Sequence, residues 1–507
     1  MMSAAPVQRE ALSVFAVFFV LVTALGFWAA RWRRPQAGMH TLEQWGLAGR
    51  SFGTWITWFL VGGDLYTAYT LIAVPAALYG NGAFGFFAVP YAVLIYPYMM
   101  AVMPRLWAIC HRNGYVTLAD FVRGRFGNRW LAAAVAVTGI LALMPYIALQ
   151  LVGLRVVLAA MGLAGEIPLV AAFAVLAAYT YSSGLRAPAV VAIVKDVMTY
   201  VMVIAAVVVL PWKLGGFAHM FAVANAALAA HTPPASIALH PGQTLPYATL
   251  ALGSALALML YPHTATAVLS AKDANVVRRN AALLPAYSIV LGLIALLGFA
   301  ALAAGIATKD TSAAVPLLLL RMFPAWFAGF CFAAIAIGAL VPAAIMSIAA
   351  ANLFTRNLWG EFVRGRLSDR AESSIAKLVS LLVKFGALAF VLEQSSATLA
   401  IQLQLLGGVW IVQIFPAVVL GAFTRFFRPW ALLAGWAAGM AWGTQMALHL
   451  GLKSSVATLR WLGAPHAMYI AIPSLVLNLG VAVAGTLLSQ VLGRDVPVDS
   501  TGTAAVS

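Results

Sequence analysis

Charged residues are scarce in this sequence. Only 9% of its 507 residues are Asp, Glu, Lys or Arg, whereas 63% are hydrophobic. Soluble domains carry about 25% charged residues. One soluble core cannot absorb this much apolar sequence, so an ordinary soluble protein is excluded and an all-α polytopic membrane protein is predicted.

Cysteine and catalytic motifs are also lacking. The two cysteines, Cys110 and Cys331, lie far apart, so no disulfide framework follows. Zinc-ligand spacings, nucleophile elbows and Walker-type phosphate loops are missing. We therefore expect neither an enzyme nor an ATP-driven pump, with no cofactor and no obligate protein partner.

The charges that are present are mostly basic, and the formal net charge is +16. The basic residues lie in short loops between apolar runs, which indicates membrane topology rather than a nucleic-acid surface. The expected partners are the lipid bilayer and a small-molecule substrate, and no nucleic acid.

Thirteen apolar runs have the length of about twenty residues that a membrane span needs. They lie near residues 11–30, 54–79, 83–108, 130–160, 166–184, 188–211, 246–268, 281–306, 325–353, 374–393, 398–422, 430–449 and 468–491. The first run lacks a basic start and a cleavage site, so we interpret it as a retained span. The whole chain, 1–507, is then one transmembrane domain, with a surface helix expected within 215–245 and a disordered tail at 492–507.

Arginines mark one side of this arrangement. Three follow the first run, and assigning that side to the cytoplasm also places most other basic clusters there. The predicted location is a bacterial inner (plasma) membrane, with the N-terminus outside and the C-terminus in the cytoplasm.

Two of the predicted spans contain helix breakers. The second reads TWFLVGGDLYTAYTLIAVP, with Gly62, Gly63 and Asp64 at its centre, and the seventh contains Pro262 and His263. Broken helices at corresponding positions of two halves indicate a transporter built from inverted repeats. The repeats would cover 54–211 and 246–422, with peripheral helices at 11–30 and 430–491.

Five motifs carry a family resemblance that extends from about Leu47 to Arg428. They are LAGRSFGTW, GGD, GYVTLADFVRGRFG, YPHTATAVLSAKD and PAAIMSIAAANLFTRNLW. The set resembles the sodium:solute symporter family, and VGGDLYTAYT and MSIAAANLFTR are most similar to its monocarboxylate-permease branch. The resemblance implies the leucine-transporter fold: 13 transmembrane helices, a 5+5 inverted repeat, one N-terminal helix and two C-terminal helices.

The resemblance also implies a sodium site between spans two and nine. By position, Gly62, Leu65 and Ala344 would supply carbonyl oxygens and Ser347 a hydroxyl. Many members have a second Ser or Thr where this chain has Ile348. Sodium is a hard cation that needs several oxygens, so coupling to sodium, coupling to protons and no coupling all stay open.

Asp64 is the strongest single candidate, because an ionisable group within a span is costly and usually lines a pathway. It would bind the cation or carry a proton, or else its carboxylate would cap the amides freed at the break. His263 would contact substrate or accept a proton, or else bond a backbone carbonyl.

Several further side chains are candidates for contact with substrate or for structural roles. The candidate substrate contacts are Gly63, Tyr66, Tyr146, Gln150, Pro262, His263, Gln402 and Trp410. Arg155 would grip an anionic substrate or reach the outer face. Lys195, Asp196 and Lys384 are expected to reach water at the cytoplasmic end of their helices.

The function expected from these residues is secondary active transport of a small organic solute by alternating access. A short monocarboxylate such as lactate or pyruvate is the expected substrate, coupled to a sodium or proton gradient. The alternatives are an amino-acid symporter, a solute sensor and a uniporter without cation coupling.

Overall fold

The computed structural model describes residues 8–29, 31–32, 41–163, 165–363, 368–393, 399–461, 464–492 and 499–502. The described chain is almost entirely helical. The first helices are α1 (Arg9–Ala29), α2 (Leu42–Gly46), α3 (Thr54–Gly63), α4 (Val74–Asn81), α5 (Ala88–Arg112), α6 (Leu118–Phe126), α7 (Arg129–Ala160), α8 (Glu166–Ser183), α9 (Arg186–Lys213) and α10 (Phe217–Ala229). The middle helices are α11 (Thr244–Leu258), α12 (Pro262–Leu269), α13 (Ala274–Leu283), α14 (Pro285–Ala295), α15 (Leu297–Ala303), α16 (Ala314–Met322), α17 (Ala325–Leu353) and α18 (Gly360–Phe362). The last helices are α19 (Asp369–Glu393), α20 (Leu399–Ile411), α21 (Gly421–Phe423), α22 (Pro429–His449) and α23 (Ala471–Val491).

Short irregular turns interrupt these helices. Three are π-helical turns, at Tyr69–Ala73, Phe354–Trp359 and Pro416–Leu420. Five are 3₁₀ turns, at Ala48–Arg50, Gly82–Phe87, Pro241–Gln243, Thr311–Ala313 and Val412–Ile414. The one described sheet is an antiparallel hairpin of β1 (Val456–Trp461) and β2 (Ala464–Tyr469), with Val456 opposite Tyr469.

The helices identify a multi-pass membrane protein. Within the described ranges, ten helical segments are long and apolar enough to span a bilayer, or eleven if α11 and α12 form one span bent by 48°. The predicted count of thirteen is not confirmed. Two predicted spans have no counterpart in this count: the second, which is divided between α3 and α4, and the twelfth, which is α22.

The core is centred on α17. The apolar window of the Ala325–Phe362 segment is 100% buried, whereas those of α1 and α23 are 22% and 33% buried. α17 packs against α7, α9, α1, α19 and α12. Its sequence is rich in alanine and glycine, and such small residues let neighbouring helices approach closely without a polar seam. α1 and α23 therefore form the periphery, where apolar side chains would meet lipid.

Two external expectations can be compared with the structure. The surface helix expected within 215–245 is present as α10. Most of the tail expected to be disordered, 492–507, lies outside the described residues, but residues 499–502 are described and pack on the protein. Ser500 N–H donates to Gly124 O at 3.0 Å, and Asp499 pairs with Arg125 and lies 3.4 Å from Arg425. Composition alone did not reveal that these arginines offer the short polar segment a binding surface.

Candidate functional site

The first broken span leaves backbone groups without helical partners. α3 ends at Gly63, where two glycines weaken the helix, and regular structure resumes only with α4. Ala68 N–H donates to Gln150 Oε1 at 2.9 Å, and Tyr69 N–H donates to Thr67 Oγ1 at 3.0 Å. Side chains thus satisfy the freed amides, as non-helical backbone at membrane depth requires. Gln150, a predicted substrate contact, thus stabilises the unwound backbone of the break.

Asp64 is the carboxylate at this break, and it is 3% exposed. Its Oδ2 accepts a hydrogen bond from Thr264 Oγ1 at 3.0 Å and lies 3.3 Å from His263 Nε2, without hydrogen-bond alignment. Its Oδ1 is buried and has no hydrogen-bond partner among the described residues. The amides of the break are capped by Thr67 and Gln150, so the capping role considered for Asp64 is not what the structure shows.

The second break presents its polar residues to the first. Pro262 is the first residue of α12, and its ring nitrogen cannot donate to the preceding turn. The next residues, His263 and Thr264, therefore stand at the start of a new helix, facing Asp64. The ring of His263 is fully buried, and its centroid lies 5.3 Å from that of Tyr146. The structure thus brings Tyr146, His263 and Asp64 together.

The expectation that Lys195 and Asp196 reach cytoplasmic water is wrong, because both side chains are fully buried. Lys195 Nζ donates to the carbonyl of Gly63 and, at 3.0 Å, to that of Tyr66. It also pairs with Asp196 Oδ1 at 3.1 Å, while Tyr287 O–H donates to Asp196 Oδ2 at 2.6 Å. The long lysine stem carries Nζ from α9 to the break, where two backbone carbonyls replace water as partners.

The glycines of the first break are closely packed. A Cβ on Gly62 would lie 2.2 Å from the ring of Tyr287, and one on Gly63 would lie 3.1 Å from Lys195 Nζ. Tyr66 O–H donates to the Tyr287 carbonyl at 3.1 Å. Gly63 and Tyr66, predicted to touch substrate, therefore face α9 and α14, while Leu65 lines the small space beside Asp64.

The remaining candidates lie away from Asp64. Trp410 Nε1 donates to Thr444 Oγ1 of α22 at 3.1 Å. Arg155 Nη1 donates at 3.3 Å to the carbonyl of Val391, near the end of α19. Gln402 lines a separate cavity between the ends of several helices. None of these three side chains joins the Asp64 cluster.

That separate cavity has a volume of about 500 Å³. Its polar lining residues are Asn81, Gln243, Thr311, Ser312, Gln402, Ser454 and Ser455. The space beside Asp64, Leu65 and Thr264 measures only about 10 Å³. The structure is therefore closed around Asp64, with a larger chamber of mixed polar and apolar lining on the side that the topology prediction assigns to the exterior.

Comparison with known proteins agrees with this architecture. A sequence model of the Sodium:solute symporter family matches residues 45–438. The chain belongs to the sodium:solute symporter family. It is 53% identical over 477 residues to a monocarboxylate transport permease protein of Rhizobium johnstonii, covering 94% of this chain and 96% of that one. It is 35% identical to the uncharacterized symporter YodF of Bacillus subtilis, covering 85% and 86%.

A solved structure shares the fold of this family member. The structure of a Na+-coupled sialic acid symporter in its substrate-bound outward-open state matches with a TM-score of 0.74, covering 94% of this chain and 98% of that one. The sequence identity is 13%, so the likeness shows the fold alone.

The sodium ligands expected from the family do not converge in this member. A Cβ on Gly338 of α17 would lie 3.6 Å from the Tyr66 carbonyl, so this face of α17 meets the break. Ser347 follows nine residues later, which is about 2.5 helical turns and therefore the opposite face. There it donates to Ala344 O at 2.8 Å and accepts from Ser380 Oγ at 3.1 Å.

The carbonyl of Gly62, another predicted ligand, is engaged as well. The Gly62 carbonyl accepts the N–H of Leu65 at 2.9 Å, within the turn that closes α3. Ile348 is fully buried and brings no oxygen. Lys384, expected at a water-exposed end, is instead buried, and its Nζ donates to Ser380 Oγ at 2.9 Å. The Lys384 amino group thus stands one side chain away from Ser347, and these residues do not fit a sodium ion.

Sequence reasoning missed three contributors to the site of this symporter-family protein. Thr264 had a signal, since it lies two residues after the helix-starting Pro262. Tyr287 and Ser380 had none, because each is an ordinary residue of a long apolar helix. Their roles depend on which helices pack together, and periodicity within one helix does not contain that information.

Proposed function

We propose that this protein is a secondary active symporter of a bacterial plasma membrane that imports a short monocarboxylate, such as lactate or pyruvate, coupled to a cation gradient. The observation that carries the proposal is the meeting of two broken spans at Asp64, His263 and Thr264. An ionisable group at unwound backbone inside a membrane protein is typical of substrate and ion pathways. The proposed repeats, 54–211 and 246–422, each begin with one of these breaks.

The substrate class has both a comparative and a physical basis. The relative that is 53% identical is named a monocarboxylate transport permease protein. The N-terminal end of α12 places positive dipole beside His263 and Thr264, which favours a carboxylate group. An amino acid also carries a carboxylate, and the osmoregulated proline transporter OpuE of Bacillus subtilis is 22% identical to this chain. An amino-acid symporter is therefore the second candidate.

Alternating access gives the two cavities their roles. The chamber of about 500 Å³ would be the outer vestibule, and the closed space beside Asp64 the occluded centre. Solute would pass from the first to the second when α3, α4 and the α11–α12 pair separate. A gradient can drive this change only through the different affinities of the coupling cation for the outward and inward states.

The direct test is uptake into proteoliposomes. Labelled lactate, pyruvate and alanine are offered separately under an inward sodium gradient, an inward proton gradient, both or neither, with empty liposomes as the control. The proposal predicts accumulation of lactate or pyruvate above equilibrium in a gradient arm. Alanine accumulation alone favours the amino-acid symporter, equilibration without accumulation favours a uniporter, and binding without any uptake favours a sensor.

A further inference from the structure

The first break already contains a positive charge supplied by the protein. Lys195 Nζ donates to the carbonyls of Gly63 and, at 3.0 Å, Tyr66, and it pairs with Asp196 Oδ1 at 3.1 Å. A lysine ammonium has three N–H donors and no acceptor. Two carbonyl oxygens therefore accept its hydrogen bonds, and the adjacent carboxylate oxygen lies at ion-pair distance. Carbonyls of an unwound half-helix are the groups with which transporters of this architecture hold sodium.

The positive charge of Lys195 is neutralised by one adjacent carboxylate. Asp196 is the adjacent carboxylate, and it is also held by the Tyr287 hydroxyl at 2.6 Å. The phenols of Tyr66 and Tyr200 complete the cluster, with ring centroids 5.9 Å apart. A sodium ion placed at the same carbonyls would meet an ammonium within a few ångströms in a poorly screened interior, where like charges repel strongly.

The opposite half of the expected sodium site gives an independent observation. Ser347 is turned toward α19, where its hydroxyl accepts from Ser380, and Ser380 in turn accepts from the buried Lys384 amine at 2.9 Å. The Gly63 and Tyr66 carbonyls of the break and the Ser347 hydroxyl of α17 are thus engaged by groups of the chain itself.

We infer that the ammonium of Lys195 is a resident cation at the break, standing in the place of sodium, and that transport by this protein does not use sodium. The inference rests on the proposed function and selects the proton gradient from its two candidate driving forces. Lys195 acts here as a residue that determines ion specificity. Its side chain supplies a fixed positive charge at the position where a sodium-coupled symporter would bind a sodium ion from solution.

A binding measurement tests the inference independently of transport. A ligand that binds only the folded state raises its melting temperature. Thermal unfolding of the wild-type protein in detergent is compared in sodium chloride and in choline chloride of equal ionic strength. We expect equal melting temperatures. A rise specific to sodium would overturn the inference even if no solute were transported.

The decisive variant is Lys195→Ser, which leaves Asp196 and the two carbonyls and adds a hydroxyl, all hard oxygen ligands. We expect uptake in choline buffer to fall by about tenfold or more, as expected when a partner of charged hydrogen bonds is lost. Addition of sodium or methylammonium, which refills the vacated charge, restores uptake. The same variant gains a sodium-dependent rise in melting temperature, which a purely structural lysine would not produce.

Controls separate the possible failures. Lys213→Ser removes another α9 lysine that donates to a carbonyl, that of Met322 at 2.6 Å, and it should behave as wild type. If Lys195→Ser does not fold, Lys195→Arg keeps the charge and should stay insensitive to sodium. Sodium-stimulated uptake by wild type, or no response of a folded Lys195→Ser protein to either cation, overturns the inference. Absence of wild-type uptake in every gradient overturns the proposed function, and the melting comparison still decides the ion question.

Discussion

Thr264 Oγ1 donates to Asp64 Oδ2 at 3.0 Å, and this hydrogen bond joins two segments that are 200 residues apart in the chain. Each residue lies at the point where its own span is interrupted. The bond therefore connects the two breaks directly, and the carboxylate is placed where a change in its charge or partners acts on both.

Replacement of Asp64 by asparagine tests this placement. The substitution keeps the shape and an acceptor for Thr264 but removes the negative charge. We expect Asp64→Asn to abolish gradient-driven accumulation while counterflow exchange of labelled solute continues, both measured in proteoliposomes. Thr264→Val, which loses only one neutral donor, should reduce accumulation less. Accumulation at the wild-type level by Asp64→Asn would refute the assigned role.

Close packing at Gly62 makes a second prediction. A Cβ at this position would lie 2.2 Å from the Tyr287 ring, and the hydroxyl of this tyrosine donates a hydrogen bond to Asp196. We expect Gly62→Ala to displace that ring, to destabilise the protein by about 1–3 kcal/mol through overpacking, and to lower uptake. Gly292→Ala is the matched control, because a Cβ there meets nothing within 4 Å. Equal melting temperatures for the two variants would contradict the geometry.

The hydrogen bonds that run from Lys384 through Ser380 to Ser347 make a third prediction, which concerns stability. In Ser380→Ala the buried Lys384 amine loses the hydroxyl that lies 2.9 Å away. Leaving such a group unpaired costs about 1–3 kcal/mol, so the variant should unfold at a lower temperature. Lys384→Met removes the buried amino group and keeps the volume, and replacement of a buried ionisable group by an apolar side chain is often neutral or stabilising. Thermal unfolding in detergent should therefore rank Lys384→Met above Ser380→Ala, and the reverse order would contradict this account.

The C-terminal contact makes a prediction about pH. Partial burial alone would raise the pKa of Asp499, but hydrogen bonds from Thr501 and the charges of Arg125 and Arg425 outweigh it and hold this pKa below its ordinary value. A carboxylate with a lowered native pKa contributes stability above its unfolded pKa of about 3.9, and the contribution disappears as the pH falls through the native pKa.

We therefore expect Asp499→Asn to lower the melting temperature slightly at neutral pH. The carboxylate is partly exposed, so the loss should be no more than about 1 kcal/mol. Once the pH has fallen below the native pKa of Asp499, the two proteins should melt together. A difference that grows on acidification would have the wrong sign for this ion pair.

Local chemistry in the sequence predicted the interrupted spans well. Gly62-Gly63-Asp64 and Pro262-His263 break their helices where expected, because glycine and proline act on the backbone of their own segment. Hydropathy likewise located most of the helices, since burial in lipid depends on composition.

Side-chain destinations were predicted less well. Lys195 and Lys384 were expected to reach water, yet each bonds to a group on the protein: the carbonyls of Gly63 and Tyr66 for the first, and Ser380 for the second. A hydropathy profile gives the depth of a residue but not which neighbouring helix offers an acceptor. Ser347 was expected to face the break, but it faces α19. The sequence does not contain this information, because the orientation depends on how α17 is rotated against α3 and α19.

The hydrogen bond from Ala68 N–H to Gln150 has a mechanical consequence. It attaches the unwound segment to α7, just as Lys195 attaches it to α9. If the unwound segment moves, then either α7 and α9 move with it or these hydrogen bonds break. The break would then move as one rigid body with α7 and α9. The relative motion would occur between this rigid body and α12, where the Thr264 hydroxyl and the His263 imidazole face the Asp64 carboxylate.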